Sequence, residues 1–344
     1  MIDAAVLRGQ VPGIVASFTL PDGLPQAAGT GALERGVTVV VCTLMRPASV
    51  ARFIASLKRQ TQRPDMLMIV DASPDTATED LVRSGDLVPA AARSVRYVRV
   101  DRSLRGLTRQ RNLALDLVTT DLVAFFDDDI VLGERSLEEL ERVHRAATVP
   151  PVGVGARIAN EQQPVNGLWR TRRMLGIVGS LVPGSYHASG MSVPWAFLPA
   201  GTAQAEGDFL PGGAVMWRTA DARRVRFNDD FAGYAQGEDL EFSLRVSAYG
   251  KLLLAGAATV EHLHEPSARP KHYAIGYMAI HNRYAIHRRC IKDRSLRHTA
   301  WFIYAWSVDT LMLARHLVVP SRIGDTLRQI GGRCVATVDI LRKK

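Results

Sequence analysis

The sequence predicts an α/β fold, a mostly parallel sheet flanked by helices, followed by a helical C-terminal extension. Three observations carry this. Short β-branched and apolar runs without polar alternation recur between helical patterns, as strands buried on both faces require. One of them, Leu122-Val123-Ala124-Phe125-Phe126, runs straight into Asp127-Asp128-Asp129, and open α/β sheets collect ligands just outside the carboxyl ends of their strands. Finally, charge is unevenly placed: residues 271–344 hold 14 Lys/Arg against 4 Asp/Glu (net +10), whereas residues 1–270 hold 29 against 30 (net −1).

Taken in order, residues 1–36 are rich in Gly and Pro (Pro21-Asp22-Gly23, Gly29-Thr30-Gly31) and read as an irregular lead-in with one strand around 14–20. Val37–Thr43 is a β-branched strand. Pro47 suits a first helical position, with Val50, Phe53, Ile54 and Leu57 at helical spacing behind it. Met66–Asp71 is a strand ending in an acid, Ala72-Ser73-Pro74-Asp75 supplies a turn, and a short helix runs through Leu81. A strand at Val95–Val100 and a helix from Gly106 to Val118, with Arg109 and Arg111 along its first turns, lead into the strand that carries the acids. Repeated strand–helix alternation implies right-handed parallel crossovers.

Residues 135–147 form a charged amphipathic helix and Val152–Ile158 another strand, whereas 160–205 read as a long connection. Phe209–Trp217 is a strand containing Gly212 and Gly213, where missing side chains allow close approach of backbone or ligand. Gly233-Tyr234-Ala235-Gln236-Gly237 leads into Glu238-Asp239, which open a helix with Leu240, Phe242, Leu244 and Val246. Helix N-terminal amides are expected to keep Asp239 ionised. A strand over Lys251–Val260 ends in Glu261-His262-Leu263-His264, and helical patterns cover 272–291, 299–319 and 321–341. The domains expected are 1–36, 37–270 and 271–344.

Hydrophobic content of 47% and charged content of 22% are ordinary for a globular chain. Cys42, Cys290 and Cys334 show no metal or redox spacing, which implies a reducing, cytoplasmic setting. The N-terminus lacks a secretory pattern. No nucleic-acid motif accompanies the basic extension, which leaves an anionic membrane surface or a phosphorylated substrate as its partner. Thr299–Val319 is long enough to span a bilayer. Asp309 near its middle and Arg315 near its end would each cost roughly 2.5–3.5 kcal/mol there. An interfacial helix, a dimer interface or internal packing fits that segment better.

Three adjacent carboxylates repel one another unless a cation sits among them, and hard oxygen ligands suit Mg²⁺ or Mn²⁺. An acidic turn that merely caps the next helix is the competing reading of the triplet alone.

Several pieces in fixed order resemble the inverting, GT-A-type glycosyltransferases of family 2, over about residues 37–290. The first strand ends in Cys42-Thr43, and Arg46-Pro47 opens the following helix. Asp71 stands at the second strand end. Gly106-Leu107-Thr108-Arg109-Gln110-Arg111-Asn112 precedes the strand with the Asp triplet. Gly237-Glu238-Asp239, with Phe242 and Arg245 beyond, comes next, and His262 follows 23 positions after Asp239 with Ser267 beyond it.

The resemblance implies a nucleotide-sugar half (37–134) and an acceptor half (135–270). It makes Asp129 and His262 the ligands of Mn²⁺ or Mg²⁺, with His264 the weaker choice. Thr43, Arg46, Asp71, Arg111, Asp127 and Asp128 would face a UDP- or dTDP-sugar, Asp71 holding its base and Asp127 lying near the ribose. Arg111 would add charge at the diphosphate or help position the base, unless it is a surface helix residue. Asp239 is the expected general base, with Glu238 orienting it. Gly212 and Gly213 would lie on the acceptor side. The acceptor would be a lipid-linked or polysaccharide hydroxyl at the inner membrane face, with 271–344 as a peripheral contact. A sugar nucleotidyltransferase would want a Gly-rich loop after the first strand, and Cys42–Pro47 has no glycine. A non-catalytic protein with a degenerate transferase fold is the remaining alternative.

Overall fold

The computed structural model describes residues 12–20, 32–84, 91–231, 236–265, 271–291 and 295–342. Most of the Gly/Pro lead-in, together with Gly233, Tyr234, Ala235, Ser267 and Arg294, lies outside them. The chain divides into two compact units. The first is Met1–Gln162 with Leu198–Glu265, and the second is Gln163–Phe197 with Pro266–Lys344. Gln163–Phe197, expected inside the α/β domain, therefore belongs to the helical unit. The reason is apolar: Trp169, Ile177, Val178, Met191, Val193 and Phe197 share one buried cluster with Ala305.

The strands are β1 (Ile14–Leu20), β2 (Glu34–Thr43), β3 (Met66–Asp71), β4 (Ser94–Val100), β5 (Thr120–Asp127), β6 (Ile130–Leu132), β7 (Gly153–Ile158), β8 (Gln204–Gly207), β9 (Ala214–Arg218) and β10 (Leu252–His262). The helices are α1 (Pro47–Leu57), α2 (Ala77–Arg83), α3 (Leu107–Leu117), α4 (Ser136–Ala146), α5 (Gly167–Met174), α6 (Thr219–Val225), α7 (Glu238–Val246), α8 (His272–Cys290), α9 (Leu296–Leu313) and α10 (Ile323–Arg342). Among the described residues the strands join one sheet in the order β1-β4-β3-β2-β5-β9-β7-β10-β6, with β8 on β10.

The central strands β4, β3, β2 and β5 run parallel. β9 inserts antiparallel between β5 and β7, and β1 closes one edge antiparallel to β4. The strand expected from Phe209 starts at Ala214, because Pro211, Gly212 and Gly213 form the turn before it.

β5 shows why its sequence does not alternate. Phe126 packs against Phe53 of α1, ring centroids 5.8 Å apart, and Phe125 meets Phe227 edge-on at 5.5 Å on the opposite face. Both faces are therefore core. Register sets the strand ends level: Thr43 pairs with Asp71 and Cys42 with Asp127, so β2, β3 and β5 finish together at one edge of the sheet.

In the second unit the helix expected over 299–319 is shorter. α9 ends at Leu313 and continues as a 3₁₀ turn over Ala314–Val318. It buries Phe302, Ala305 and Asp309 and exposes Ile303, Tyr304 and Leu311. No helix among the described residues is long and apolar enough to cross a membrane.

α8 and α10 touch backbone to backbone. A Cβ at Gly276 would lie 2.0 Å from the Gln329 carbonyl oxygen, and one at Gly332 would lie 2.1 Å from that of Tyr273. The neighbouring Gly331 faces open space. Gly332→Ala is therefore expected to force the two helices apart and destabilise by about 1–3 kcal/mol. Gly331→Ala is expected to be neutral or stabilising by up to about 1 kcal/mol. Thermal unfolding of the two variants checks this, and equal effects would contradict the close crossing.

Candidate active site

The three acids at the end of β5 escape mutual repulsion by turning to different partners. Asp127, partly exposed, accepts from Arg111 Nη2 at 3.1 Å. Asp128 is buried and accepts from the Thr43 hydroxyl at 2.7 Å and from Arg46 Nη1 at 3.0 Å. Burial pushes Asp128 up to about 6 although both donors oppose it. Thr43 and Arg46, expected at the donor, thus anchor the middle acid to β2 and α1. Asp129 places Oδ1 3.2 Å from His262 Nε2, while its Oδ2 accepts from the Glu265 amide at 3.0 Å. Burial would raise Asp129, but the His262 contact and the Glu265 amide hold it below the usual carboxylate range.

Asp71 is fully buried at the end of β3. It accepts from the Ser73 amide at 2.8 Å and from the Ser73 hydroxyl, and its other oxygen accepts from Tyr97 Oη at 2.8 Å. With about four lone-pair positions on a carboxylate, these bonds leave about one unused.

α3 is a polar helix with a buried polar face. Gln110 Nε2 donates to the carbonyls of Thr43 (3.2 Å) and Val70 (2.8 Å), tying off β2 and β3. Asn112 exchanges two 2.8 Å bonds with the Phe227 backbone. Arg111 is buried and donates to Glu238 at 2.7 Å, to Asp127 and to the Gly212 carbonyl at 2.9 Å. It is neither a surface residue nor a free cation, because its charge is spent holding two acids.

Asp239 accepts from the Gly212 amide at 3.1 Å and from the Leu240 amide at 2.8 Å. The expected direction of its titration is reversed: burial raises it above the usual range despite those amides, and Asp127 adds to the rise. Glu238 is pushed up to about 8, first by burial and then by Asp239 and Asp127, against Arg111. One guanidinium thus faces three carboxylates, so the cluster favours retaining a proton.

Gly212 and Gly213 have a different local role from the one expected. A Cβ at Gly212 would meet that of Asp239 at 2.5 Å, and one at Gly213 would meet Asp127 Oδ2 at 2.6 Å. The missing side chains make room for the acids.

Ligand atoms of Asp127, Asp129 and His262 lie within 4.8 Å of one another, as do those of Glu161, His262 and His264. Two carboxylates and an imidazole form a donor set that fits Mn²⁺ or Mg²⁺. His262 faces both groups, since its Nδ1 lies 3.2 Å from Glu161 Oε1. Burial would lower its pKa, but contacts with Asp129 and Glu161 lift it to about 10. His264 Nε2 sits 2.9 Å from the same Glu161 oxygen. Asn160 brackets the His262 backbone with bonds of 2.8 and 3.0 Å. Sequence reasoning missed Asn160 and Glu161. The available signal was their position just beyond the carboxyl end of β7.

The raised Glu238 gives a measurable pH dependence. Its folded-state value of about 8 exceeds the ordinary 4.5, so its contribution to stability is complete below the lower value and lost as pH rises through the upper one. Gln mimics the protonated carboxyl. Between about pH 5 and about pH 9, the stability of Glu238→Gln relative to wild type should shift in the variant's favour by about 1 kcal/mol or more. Urea unfolding at both pH values tests this, and a constant difference would show that Glu238 is ionised throughout.

No curated protein matches the chain significantly in sequence. Among solved structures, the mannosyltransferase PcManGT from Pyrobaculum calidifontis, in complex with GDP-Man and Mn²⁺, has a TM-score of 0.53 at 16% identity, covering 93% of this chain and 92% of that one. TarS 1-349 from S. aureus, in complex with UDP, has a TM-score of 0.46 at 14% identity, covering 83% and 73%. A further S. aureus TarS structure has a TM-score of 0.45 at 15% identity, and the chain spans 44% of its length. The GT-A-type α/β fold expected from the sequence is the fold found. The family described as "Glycosyl transferase family 2" matches residues 38–217, just over half of the chain, from within β2 to within β9. By that match the chain belongs to glycosyl transferase family 2.

Proposed function

We propose that the chain is a metal-dependent, inverting glycosyltransferase that moves a sugar from a nucleoside diphosphate sugar to an acceptor hydroxyl. The observation that carries this reading is the convergence of two sets of groups. Asp127, Asp129 and His262 form a cation-binding set, and Asp239 is tied to the same strand end through Gly212, Gly213 and Arg111. A divalent cation there would neutralise charge on the departing diphosphate. The GDP-Man complex of the Pyrobaculum calidifontis mannosyltransferase agrees with a nucleotide-sugar donor, and the level ends of β2, β3 and β5, with Asp71 among them, offer a place for its base.

In the transfer, the acceptor oxygen bonds to the anomeric carbon as the bond from that carbon to the phosphate oxygen breaks. The acceptor proton passes to Asp239. Its elevated pKa makes it a stronger base than an exposed carboxylate. Glu238, bound to Arg111, orients the helix terminus that carries Asp239. A single displacement of this kind inverts the anomeric centre. The donor assigned is a UDP- or dTDP-sugar. The acceptor assigned is a lipid-linked or polysaccharide hydroxyl at the cytoplasmic membrane face, in keeping with the net +10 of residues 271–344 and the exposed Ile303, Tyr304 and Leu311 on α9.

Asp129→Ala is expected to abolish Mn²⁺-dependent binding of UDP or dTDP in thermal-shift titrations, and His262→Ala to weaken it. Undiminished metal dependence in either variant would rule out a shared ion. Asp239→Asn should keep donor affinity and lose about 10²–10⁴ in turnover, with Glu238→Gln losing less. If Asp239→Asn turns over like wild type and Glu238→Gln is inactive, the two roles are exchanged.

A further inference from the structure

The second unit buries a charge imbalance of its own. Asp309 on α9 is surrounded by guanidinium groups from three other helices, Arg172 of α5, Arg283 of α8 and Arg333 of α10. Arg172 Nη2 donates to Asp309 Oδ1. Arg333 Nη1 donates to Asp309 Oδ2 at 3.2 Å and to the Thr310 hydroxyl at 3.1 Å. Arg283 Nη1 stands 3.7 Å from Asp309 Oδ2, too far for a hydrogen bond.

Three cations around one anion leave a net charge of +2 in a largely buried place. Arg172 Nε, Arg283 Nη1 and Arg333 Nε are buried donors without a hydrogen-bond acceptor among the described residues. A carboxylate offers about four acceptor positions and three guanidinium groups offer about fifteen donors. Such an excess of buried charge and unused donors costs stability unless another anion shares the site.

Packing fixes these groups in place. The Arg172 guanidinium lies 4.7 Å from the Trp169 ring centroid. The Arg283 stem runs under Gly190, where a Cβ would come 3.2 Å from Arg283 Cγ and 2.7 Å from the Phe302 ring. Tyr186, half-buried, lies near Arg283, and burial is the main force lowering the Arg283 pKa. With 24% of its side chain exposed, Arg283 is the most accessible of the three. Arg283 is therefore the side of the cluster nearest solvent.

We propose that Arg172, Arg283 and Arg333 form a phosphate-binding site in the helical unit, with Asp309 holding their guanidinium groups in position. Phosphate fits by charge, since a dianion balances the excess of +2, and by geometry, since guanidinium forks bind phosphate oxygens in pairs. A free phosphate ester and a lipid phosphate headgroup share this chemistry. The site uses no residue of the Asp127–His262 or Glu238–Asp239 groups, so it stands or falls apart from the transfer reaction.

The test uses the full chain and two variants. Arg283→Met removes the guanidinium that makes no hydrogen bond to Asp309, and Arg283→Lys keeps its charge without the fork. Thermal unfolding is followed against inorganic phosphate, with chloride holding ionic strength constant. Wild type should be stabilised saturably by phosphate. Arg283→Met should bind phosphate about tenfold or more weakly and should melt no lower than wild type without phosphate, because a buried excess charge is gone. Arg283→Lys should fall between them. Any phosphate held by the acidic strand ends is common to all three proteins and cancels in the comparison.

Co-sedimentation with phosphatidylglycerol and phosphatidylcholine vesicles then separates the sources. Loss of phosphatidylglycerol binding in Arg283→Met identifies a headgroup, and unchanged sedimentation with lost phosphate response identifies a soluble phosphate. An equal phosphate response in wild type and Arg283→Met, or none in wild type, overturns the site and leaves the cluster as a brace between helices.

Discussion

The site depends on one buried guanidinium. Arg111 reaches from α3 to the end of β5 through Asp127, to the turn before β9 through the Gly212 carbonyl, and to the first residue of α7 through Glu238. Those three segments lie far apart in sequence and would otherwise present like charges to one another. A buried ion pair contributes little net stability, but removing one partner leaves the others uncompensated at a cost of about 3–5 kcal/mol. Arg111 therefore specifies position more than it adds stability. It fixes where the acids stand before any ligand arrives.

Close packing and charge then act together. Asp127 and Asp239 can approach the turn before β9 only because Gly212 and Gly213 carry no side chains. Asp128 is withdrawn from the crevice by Thr43 and Arg46, which leaves Asp127 and Asp129 facing His262. Glu161 fixes the far side of that imidazole through Nδ1. A carboxylate behind a metal-binding histidine sets its tautomer and orientation. The proposed cation site would thus have two ranks of acids, and the turn between β5 and β6 directs the three acids of the triplet to different partners.

Much of this was legible in the sequence because local signals agreed with the global fold. Unbroken apolar runs gave the parallel strands, and acids at their ends gave Asp71, Asp127 and Asp129. The Glu238-Asp239 pair declared itself by opening a helix. Roles set by contacts between distant segments were less legible. Nothing near Arg111 in sequence announces Glu238, and no local pattern shows that Thr43 and Arg46 bind Asp128. Membership of Gln163–Phe197 was likewise hidden, because its apolar residues are spaced irregularly and find their partner in α9. The rise in the Asp239 pKa was missed for a related reason: helix amides can be read from sequence, whereas burial cannot.

Each unit carries an unbalanced charged cluster, and the two have opposite sign. At the strand ends, Asp127, Glu238 and Asp239 outnumber Arg111, with Asp129 beside them. In the helical unit Arg172, Arg283 and Arg333 outnumber Asp309. Folding alone does not favour either arrangement, since hydrophobic residues of similar volume would pack there at lower electrostatic cost. Each imbalance describes the ligand that would relieve it, a cation in the first unit and an anion in the second. Asp309 illustrates how the same residue changes meaning with its surroundings. Within an apolar helix pattern it reads as a defect that prevents a membrane span, whereas in the folded chain it is the counter-ion that holds three guanidinium groups together.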